Sequence, residues 1–468
     1  MTDTSFLPAT ADLPGSDPHP DGVRIVHASD PEWDELRATY SLLLDQQPAA
    51  IAVPHDADEV AAAVRYARAH GLRVAAQATG HGATTLGDLA DTLLVRTLEL
   101  DEVDVDPATG HVRVGAGVRW SAVVPQLAEA GFAARHGSSP TVGIVGYSLG
   151  SGIGWLSRKH GLQPDAVTAI DCVLADGTRV RADAENHSDL FWALRGAGGN
   201  AAVVTAIEFD TVRQPRVYGG GLSFSIDKAA EVLQTWTDSL ADAPEELTTW
   251  ATLYNFPDAP HLPDAIRGRS FVSIMGVYLG AGADADDASL EAEARRLLEP
   301  FLSLGPFRDT FAPMSPVDIP SITTDPPGPV SSRGTTAQMS QLTPETIAQV
   351  VELMARKALM LVQFRHVGGA LHRPAPGGGV RETVPGDLTM YSVGILANPD
   401  ARPAVLADQA ALDEIVAPFL VGRFAGFIEA IGDPEELFPS GSLERLNEIV
   451  TRYDPEGVFR SSKPVPVL

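Results

Sequence analysis

Two glycine-rich stretches of the sequence could bring backbone amides against the phosphates of a dinucleotide. Five glycines fall between residues 143 and 154, and Gly115 and Gly117 lie a short distance before them. Glycine has no Cβ atom, so successive N–H groups can point at phosphate oxygens without obstruction by a side chain. Taken alone, each stretch is weak evidence, since glycines also serve plain structural turns.

A histidine in a short loop is the second feature that could carry chemistry. The loop Ala78-Thr79-Gly80-His81-Gly82 follows directly on a predicted strand at 73–77, within a strand–helix–strand pattern. In such units, ligands favour the carboxyl ends of the strands. His81 therefore stands where an imidazole could contact a bound cofactor.

A nicotinamide site is the main alternative for the glycines. Residues 150–154 partly match the nicotinamide fingerprint, and Asp171 follows about 20 residues later, as that motif requires. The fingerprint also requires a helix to begin at the glycine turn. Residues 155–164 contain Gly161 and Pro164 and show no helical spacing of apolar residues. The pattern therefore favours a flavin dinucleotide over nicotinamide, with structural turns as the other alternative.

The sequence predicts a first lobe of alternating strands and helices that ends near residue 212. Asp56 and Asp58 are helix-start residues, apolar residues follow at helical spacing, and Gly71 ends that helix. Strands are predicted at 51–53, 73–77, 93–96, 103–105, 111–114, 167–174 and 178–181, with a second helix at 121–130.

A second lobe is predicted to begin at Gly219, with strands separated by helices. Its strand candidates are 219–225, 249–256, 271–279, 361–370 and 388–396. The stretch 313–334 is rich in Pro, Ser, Thr and Gly and lacks periodicity. It predicts a long loop, and long loops in compact proteins are often functional.

The chain is acidic, with 34 Lys and Arg against 61 Asp and Glu and a formal net charge of −27. A field of that sign repels nucleic acid and anionic membrane surfaces, so neither is expected as a partner. The single cysteine, Cys172, lies in an apolar run and cannot form an intramolecular disulfide. The first 22 residues lack the features of a secretory signal. These features favour a cytoplasmic protein.

A series of further motifs occurs in a fixed order along the chain. They are Pro54 with residues 60–71, Thr79-Gly80-His81, Ser139-Pro140-Thr141-Val142-Gly143, the segment 146–154, Arg158-Lys159-His160-Gly161-Leu162, Asp189-Leu190-Phe191-Trp192-Ala193-Leu194-Arg195-Gly196, Val203-Val204-Thr205 and Tyr453-Asp454-Pro455-Glu456-Gly457-Val458-Phe459-Arg460. Together they resemble the vanillyl-alcohol oxidase superfamily, and within it the berberine-bridge-enzyme-like flavoprotein oxidases. The resemblance covers residues 50–212 and the C-terminal end of the chain.

This resemblance implies an α+β fold with a PCMH-type FAD-binding lobe and a substrate lobe whose antiparallel sheet is covered by helices. The implied division is an N-terminal tail and lead-in at 1–40, the FAD-binding domain at 41–215, the substrate-binding domain at 216–420 and a return segment of the FAD lobe at 421–468. No metal site is expected. The implied FAD-binding residues are Ala78, Thr79, Gly80, His81, Gly82, Pro140, Thr141, Gly143, Gly146, Tyr147, Gly150, Gly152, Gly154 and Val204.

The resemblance also implies how the flavin is held. In many relatives the histidine of the Gly-Gly-His loop is bonded to the flavin 8α-methyl group, and His81 occupies that place here. Relatives with two covalent bonds carry a cysteine before the Pro-Thr-Val-Gly segment, where this chain has Ser139, and Cys172 lies on a different segment. We therefore expect FAD on a single covalent bond, through His81.

The sequence departs from the family pattern where relatives carry a catalytic tyrosine. Phe427 stands at that position, Ile153 falls where some relatives have a tyrosine, and Ala202 replaces a glycine. Either the catalytic base therefore lies in the central lobe, or the reaction needs no strong base. Tyr391 and His366 are predicted as the catalytic residues.

The sheet of the central lobe offers Tyr254 and Tyr278 as further candidates for hydrogen bonding to a substrate. Residues alternate between the two faces of a strand, so His366 and Arg365 point to opposite faces. The alternation leaves open which of the two faces meets the flavin.

The resemblance implies an oxidase or dehydrogenase. Such an enzyme takes a hydride to flavin N5 from a small organic alcohol, sugar, amine or natural-product intermediate, and passes the electrons to dioxygen or another acceptor. The missing phenol leaves one alternative open, a redox-neutral cyclase of a natural-product pathway in which FAD is mainly structural. The retained His81 argues against that alternative, because covalent tuning has no use in a spectator cofactor.

Overall fold

The computed structural model of the chain describes residues 22–260, 262–323, 325–430, 434–439 and 441–465. Much of the predicted N-terminal tail, residues 1–21, lies outside the described residues. Within these ranges, no helix is both long enough and apolar enough to cross a bilayer.

The first lobe is formed by residues 22–215 together with the C-terminal end of the chain. Its first part contains β1 (Arg24–Val26), α1 (Trp33–Leu36), β2 (Ala50–Val53), α2 (Ala57–Ala69), β3 (Arg73–Gln77), β4 (Thr92–Arg96), β5 (Val103–Val105), β6 (Val112–Gly115), α3 (Trp120–Glu129) and β7 (Phe132–Ala133). It continues with α4 (Ile144–Leu149), α5 (Ser157–His160), β8 (Val167–Val173), β9 (Arg179–Asp183), α6 (Ser188–Ala197), β10 (Val203–Phe209) and β11 (Val212–Arg213).

Two sheets build this lobe. In the first, β2, β4 and β3 are parallel and β1 pairs antiparallel with β2. The second sheet is antiparallel in the order β5-β6-β10-β8-β9. Helix α2 contacts strands of both sheets. Its start is the predicted one, because the Asp56 side chain accepts a hydrogen bond from the backbone N–H of Glu59 and so caps the helix.

The second lobe follows without a break. Its elements are β12 (Val217–Ser225), α7 (Ala229–Ser239), β13 (Leu247–Asn255), β14 (Ser270–Tyr278), α8 (Asp287–Leu302), β15 (Arg308–Asp309), β16 (Ala312–Met314), a 3-10 helix (Pro316–Ile322), β17 (Ser332–Met339), α9 (Pro344–Met354), β18 (Leu361–His366), β19 (Leu388–Ile395), α10 (Arg402–Val416) and β20 (Leu420–Gly422).

These strands form one antiparallel sheet with two different faces. Its order is β15-β12-β14-β13-β18-β19-β17-β20, and β16 also pairs with β12. One face, with Phe364 and Met390 fully buried, packs in an apolar cluster with α7, α8, α9 and α10. Strand alternation sends Trp250, Arg365 and Tyr391 to the opposite face. We call this opposite face the inner face.

The C-terminal end of the chain returns to the first lobe. It contains α11 (Pro434–Leu437) and α12 (Ser442–Tyr453) and then runs beside β3. The N–H of Val74 donates to the carbonyl of Val458, and the carbonyl of Val74 accepts from the N–H of Arg460, both at 2.8 Å. Buried Asp454 accepts hydrogen bonds from the N–H groups of Val458 and Phe459, each at 2.8 Å. This carboxylate therefore fixes the turn that brings the chain back to β3.

Two expectations from the sequence differ from the structure. The prediction of one long loop at 313–334 is wrong in part, because β16, the 3-10 helix and the start of β17 lie within it. Backbone pairing with β19 makes β17 a strand although its sequence does not alternate. β18 ends at His366 rather than at residue 370, since Gly368 has a φ of +119° and leaves the extended conformation. The lead-in before residue 40 contains β1, which belongs to the first sheet.

Replacing Asp454 with Ala is expected to lower the free energy of unfolding by about 1–3 kcal/mol, because two buried N–H groups lose their acceptor. Urea unfolding of the flavin-loaded protein, followed by tryptophan fluorescence, measures the change. The matched control is Glu456→Ala, which removes an exposed ion pair with Arg68 and is expected to cost less than about 1 kcal/mol. Equal midpoints for the two variants would contradict the role assigned to Asp454.

Candidate active site

The predicted loop 78–82 leaves the carboxyl end of β3 and packs against the N-terminal segment. Gly80 has a φ of +77°, and a Cβ added there would lie 2.9 Å from the Cα of Thr39. Only glycine combines this backbone conformation with so close an approach. A Cβ added to Gly82 would meet nothing within 4 Å. The chain therefore holds one side of the loop and leaves the other side accessible.

His81 is fixed between two side chains from other segments. Its Nε2 lies 3.1 Å from the Oγ1 of Thr141, and the ring of Tyr40 stacks on the imidazole with centroids 3.7 Å apart. Burial, followed by the neighbouring charge of Arg119, lowers the pKa of His81 to about 4. The imidazole is therefore neutral at physiological pH, the form in which a ring nitrogen is nucleophilic.

Tyr40, which the sequence analysis missed, also ties the first lobe to the second. Its hydroxyl donates to the carbonyl of Pro326 at 2.6 Å. Beside it, the N–H of Leu42 donates to the carbonyl of Val330 at 2.9 Å, and the N–H of Val330 donates to the carbonyl of Tyr40 at 3.0 Å. No local pattern marks this contact, because its partners lie far away in the sequence.

The glycine-rich segment 143–154 contains a short helix rather than a uniform loop. Gly143 is the N-cap of α4, and Gly146 lies inside this helix. Gly146 is exposed, and a Cβ added there would meet nothing within 4 Å. The helix therefore presents bare backbone at Gly146.

The glycines that follow α4 are required for a different reason. A Cβ at Gly152 would lie 2.2 Å from the ring of Tyr147, and one at Gly154 would lie 1.8 Å from the carbonyl oxygen of His136. The hydroxyl of Tyr147 donates to the carbonyl of Arg135 at 3.0 Å, so this side chain is engaged within the lobe. Packing of the protein itself therefore explains the glycines at 152 and 154 without a ligand.

The structure brings most of the predicted FAD-binding segments together. A Cβ at Gly143 would lie 3.6 Å from the Cβ of Ala78 and 3.7 Å from the Cγ2 of Thr79, so the 78–82 loop meets the start of α4. Gly150 follows at the end of the same helix. Val204 is separate from this group, since it is buried in β10 within the core of the lobe.

Arg96 is a buried cation that the sequence analysis missed. It ends β4 in register with Gln77 of β3, and its Nε and Nη1 have no hydrogen-bond partner among the described residues. Burial, followed by the charge of Arg119, lowers its pKa to about 10. A buried cation without a counter-charge is costly, and a bound anion removes that cost. The two arginines therefore fit an anionic group such as the diphosphate of FAD.

A stacked pair of tryptophans shows which face of the large sheet meets the first lobe. Trp155, just after the glycine-rich segment, stacks on Trp250 of β13 with centroids 3.6 Å apart and planes inclined by 18°. The Cζ of Arg365 lies 4.1 Å from the centroid of Trp250 and 4.7 Å from that of Phe427. The face that carries Arg365, the inner face, is therefore the one directed at the first lobe.

Tyr391, one of the two predicted catalytic residues, lies on the inner face. Its ring centroid is 5.7 Å from that of Phe427 and 5.6 Å from the Cζ of Arg365. Burial, with the nearby charge of Glu429, raises the pKa of the Tyr391 phenol far above its ordinary value. The phenol is therefore protonated at neutral pH and can donate a hydrogen bond.

His366, the other predicted catalytic residue, has the orientation opposite to Arg365. It shares a face with Phe364, and its Nδ1 is buried without a partner in the described part of the chain. Burial, together with the charges of Arg158 and His372, lowers its pKa to about 3. His366 is therefore neutral. It lies at the end of β18, where it lines a small cavity together with Ile153 and Gly154 of the first lobe.

The two further tyrosines also lie on opposite sides of the sheet. Tyr254 belongs to the inner face, where its ring lies 5.1 Å from the ring of Phe256 and 5.1 Å from the ring of Phe271. Tyr278 packs in the helix-covered cluster. Of these two, only Tyr254 is available to a ligand between the lobes.

The positions where tyrosines of relatives are missing lie in one apolar cluster. Ile153 and Phe427 both pack against the cluster that contains Phe424. A Cβ at Gly426 would lie 3.0 Å from the carbonyl oxygen of Gly150, so the segment 424–429 passes between the two lobes. Both missing hydroxyls are thus replaced by hydrocarbon in the same region.

Glu429 is a second charged residue that the sequence analysis missed. It follows the apolar segment, and its Oε2 accepts a hydrogen bond from the N–H of Gly334 on β17 at 2.8 Å. The available signal was an acidic residue two positions after Phe427, in a segment expected to return to the FAD lobe. Its partner lies 95 residues away, and no local pattern predicts that contact.

Comparison with known proteins places this geometry among flavoproteins. Residues 48–183 match the family described as FAD binding domain. The sequence is 27% identical to a chitooligosaccharide oxidase of Gibberella zeae over 92% of this chain and 90% of that protein. It is 29% identical to the (R)-6-hydroxynicotine oxidase of Paenarthrobacter nicotinovorans over 48% of this chain and 49% of that protein. The solved structure of BBE-like 1 of Physcomitrella patens matches with a TM-score of 0.80 at 21% identity, over 96% of this chain and 98% of that one.

These matches bear on several predictions made from the sequence. The resemblance to berberine-bridge-enzyme-like flavoproteins and the two-lobed α+β fold are confirmed. The prediction of an FAD-dependent oxidoreductase is confirmed as well. The individual site residues remain predictions, which the following experiments address.

Gly146→Leu is expected to leave the protein folded and to weaken FAD binding by about tenfold, or about 1.4 kcal/mol. The new side chain would cover bare backbone that the cofactor uses, while leucine strengthens the helix relative to glycine. Flavin absorbance per protein after gel filtration measures occupancy, and circular dichroism checks the fold. Gly282→Leu, where a Cβ also meets nothing within 4 Å but in the second lobe, is the control with full occupancy. Full flavin content in Gly146→Leu would remove α4 from the cofactor site.

Proposed function

We propose that this FAD-dependent oxidoreductase, which has the two-lobed fold of the berberine-bridge-enzyme-like flavoproteins, holds its flavin by one covalent bond to His81 and oxidises a small organic alcohol, sugar or amine. The observation that carries the proposal is the neutral imidazole of His81, held by Thr141 in the loop after β3. When bound, FAD supplies the two-electron oxidant that accepts a hydride from the substrate carbon.

The surroundings of His81 support the covalent bond. Thr141 engages Nε2, which leaves Nδ1 as the nitrogen for attachment. A neutral ring offers its lone pair without first losing a proton. Stacking by Tyr40 restrains the plane of the ring, so that its orientation is set before the flavin arrives.

A single bond is proposed because no second nucleophile is placed for it in the part of the chain that the structure describes. Ser139 stands where relatives with two bonds have a cysteine, and its hydroxyl lies 2.9 Å from that of Thr141. Cys172 is buried in β8, and burial raises the pKa of its thiol to about 12. A thiol in that environment is unreactive.

The proposed substrate site lies between the 78–82 loop and the inner face. Arg365 and Tyr391 offer polar groups there, and Tyr254 with its neighbouring phenylalanines offers an aromatic wall. Aromatic walls with a few polar groups suit the rings of sugars and of aromatic alcohols and amines. The sugar oxidase and the nicotine oxidase among the relatives support this range, with dioxygen as the acceptor.

We assign the contact with the reacting group of the substrate to Tyr391 rather than to His366. Tyr391 shares the inner face with Arg365, whereas strand alternation directs the His366 side chain to the other face. One observation favours an alternative function, a redox-neutral cyclase in a natural-product pathway. Ile153 and Phe427 stand at two positions where relatives have tyrosines, and both pack against one apolar cluster. Reduction of the flavin by a substrate separates these two functions.

We further propose a cytoplasmic protein whose partners are small molecules rather than nucleic acid or membranes. The net charge of −27 supports this proposal, since it repels polyanions and anionic lipid surfaces. The single free cysteine fits a reducing compartment.

The yellow colour of the purified protein is expected to stay with the polypeptide after acid precipitation. His81→Ala should release all of the flavin into the supernatant, because the attachment site is gone, while part of the noncovalent binding remains. Absorbance at 450 nm of pellet and supernatant measures the distribution. The control His55→Ala changes an exposed histidine at the start of α2 and should keep the colour in the pellet. Free flavin in the wild-type supernatant would rule out the bond.

Tyr391→Phe is expected to lower the rate of flavin reduction by about 10², since it removes the hydroxyl and keeps the ring. His366→Gln should reduce flavin at the wild-type rate. The measurement is anaerobic stopped-flow bleaching with glucose, cellobiose, benzyl alcohol and benzylamine. If the flavin is reduced slowly in His366→Gln and at the wild-type rate in Tyr391→Phe, the assignment is reversed. A wild-type protein that none of these probes reduces would favour the cyclase.

A further inference from the structure

Glu429 is a carboxyl group held between the lobes without a cationic partner. Its Oε2 accepts one hydrogen bond, from the N–H of Gly334, and no lysine or arginine nitrogen lies within 4 Å of it in the described ranges. Burial raises the pKa of Glu429, while the Gly334 hydrogen bond and the charge of Arg333 oppose the rise. A buried carboxylate with a purely structural role ordinarily accepts more hydrogen bonds or forms an ion pair.

The geometry around Gly334 brings this carboxyl and the Tyr391 phenol to one point of the inner face. A Cβ built on Gly334 would lie 2.7 Å from the Oε1 of Glu429, 3.0 Å from the hydroxyl oxygen of Tyr391 and 2.8 Å from its Cε2. Glycine at this position thus leaves room in which the two polar groups converge. Any larger residue would separate them.

The groups that face this pair do not neutralise the carboxylate by direct contact. Arg365 of β18 lies over the Tyr391 ring, Arg333 of β17 acts on Glu429 through space, and Asp325 adds negative charge near Tyr391. The phenol itself stays protonated at neutral pH, because burial and Glu429 raise its pKa. Of the two converging groups, only the carboxylate can accept a proton.

We propose that Glu429 is the catalytic base of this enzyme, replacing the phenol that Phe427 lacks, and that Tyr391 donates a hydrogen bond to the same substrate heteroatom. The proposal rests on the oxidoreductase function proposed above and names the group that accepts the proton.

The step balances in atoms and charge. The O–H or N–H bond of the substrate breaks and its proton goes to Oε1 of Glu429. The electron pair left behind forms the C=O or C=N bond as hydrogen leaves the adjacent carbon as hydride, which the oxidised cofactor accepts. The proton is later released from Glu429 to solvent.

The primary test is Glu429→Gln, which keeps the shape and removes the base. Anaerobic flavin reduction with glucose, cellobiose, benzyl alcohol and benzylamine should slow by about 10² to 10⁴. The wild-type rate should rise with pH through a midpoint above the ordinary glutamate value of 4.5, because only the ionised carboxylate accepts a proton. That rise should be absent in Glu429→Gln.

Two further variants separate catalysis from structure. Gly334→Ala keeps the carboxyl group but pushes it away from Tyr391, and it should slow reduction while leaving flavin content unchanged. Asp413→Asn is the matched control, since Asp413 is another half-buried acid whose pKa burial raises and which Arg333 also influences. It should reduce flavin at the wild-type rate with the wild-type pH dependence.

A readout without substrate distinguishes the failure of this proposal from the failure of the proposed function. Titration of the flavin visible spectrum of the holoprotein should show a transition above pH 4.5 that Glu429→Gln abolishes. Equal rates of flavin reduction in the wild type and in Glu429→Gln would overturn the role of Glu429 and leave the proposed function standing. A wild type that no probe reduces would contradict the proposed function, and an identical spectral titration in Glu429→Gln would then overturn the role of Glu429 as the titrating group of the site.

Discussion

The stacking of Trp155 on Trp250 is the contact on which the geometry of the site depends. Both indoles are buried, and they belong to an apolar cluster with members from the two lobes. A buried aromatic side chain removes about 150–250 Å² from water, so this pair contributes several kcal/mol to the docking of the lobes, on the order of 25 cal/mol per Å². Because Trp250 adjoins Arg365 on the inner face, the position of the indole pair also sets the distance between the His81 loop and the polar groups of the sheet.

The buried arginines divide into those that serve the fold and those that serve the site. Arg158 donates to the carbonyl oxygens of Pro244 and Ala243, and Arg195 donates to two carbonyl oxygens of a distant turn. Such cations join distant segments of the chain through hydrogen bonds to backbone carbonyls. Among the described residues, Arg96 leaves two nitrogens without a partner, and Arg365 lies against aromatic rings while its Nε donates to Oε1 of Gln363. Burial lowers the pKa of both side chains, which is typical of groups that meet a charged or polar ligand.

Local signals in the sequence predict the first lobe well, and they do not predict the contacts between distant segments at the inner face. The cap at Asp56, the bounds of β3 and the position of His81 after that strand follow from residue types within a few positions of one another. Alternation along β18 correctly separates Arg365 from His366, yet the choice of the inner face depends on a tryptophan pair from two lobes. Contacts such as Glu429 with Gly334 join residues 95 positions apart. They depend on the path of the whole chain rather than on any spacing.

The first lobe is completed by the C-terminal end of the chain, and this has a consequence for how the protein matures. The Arg73 side chain donates to the carbonyl of Phe459, which lies 386 residues away. β3 pairs with β4 on one side, and this return segment contacts it on the other side. During synthesis, β3 and the loop that leaves it therefore remain an unfinished sheet edge until residues 454–460 have left the ribosome. Contacts of such long range form slowly, because a large loop must close first, and an unpaired edge invites aggregation meanwhile. The edge of the sheet beside the His81 loop is thus completed only after the C-terminal segment has been synthesised.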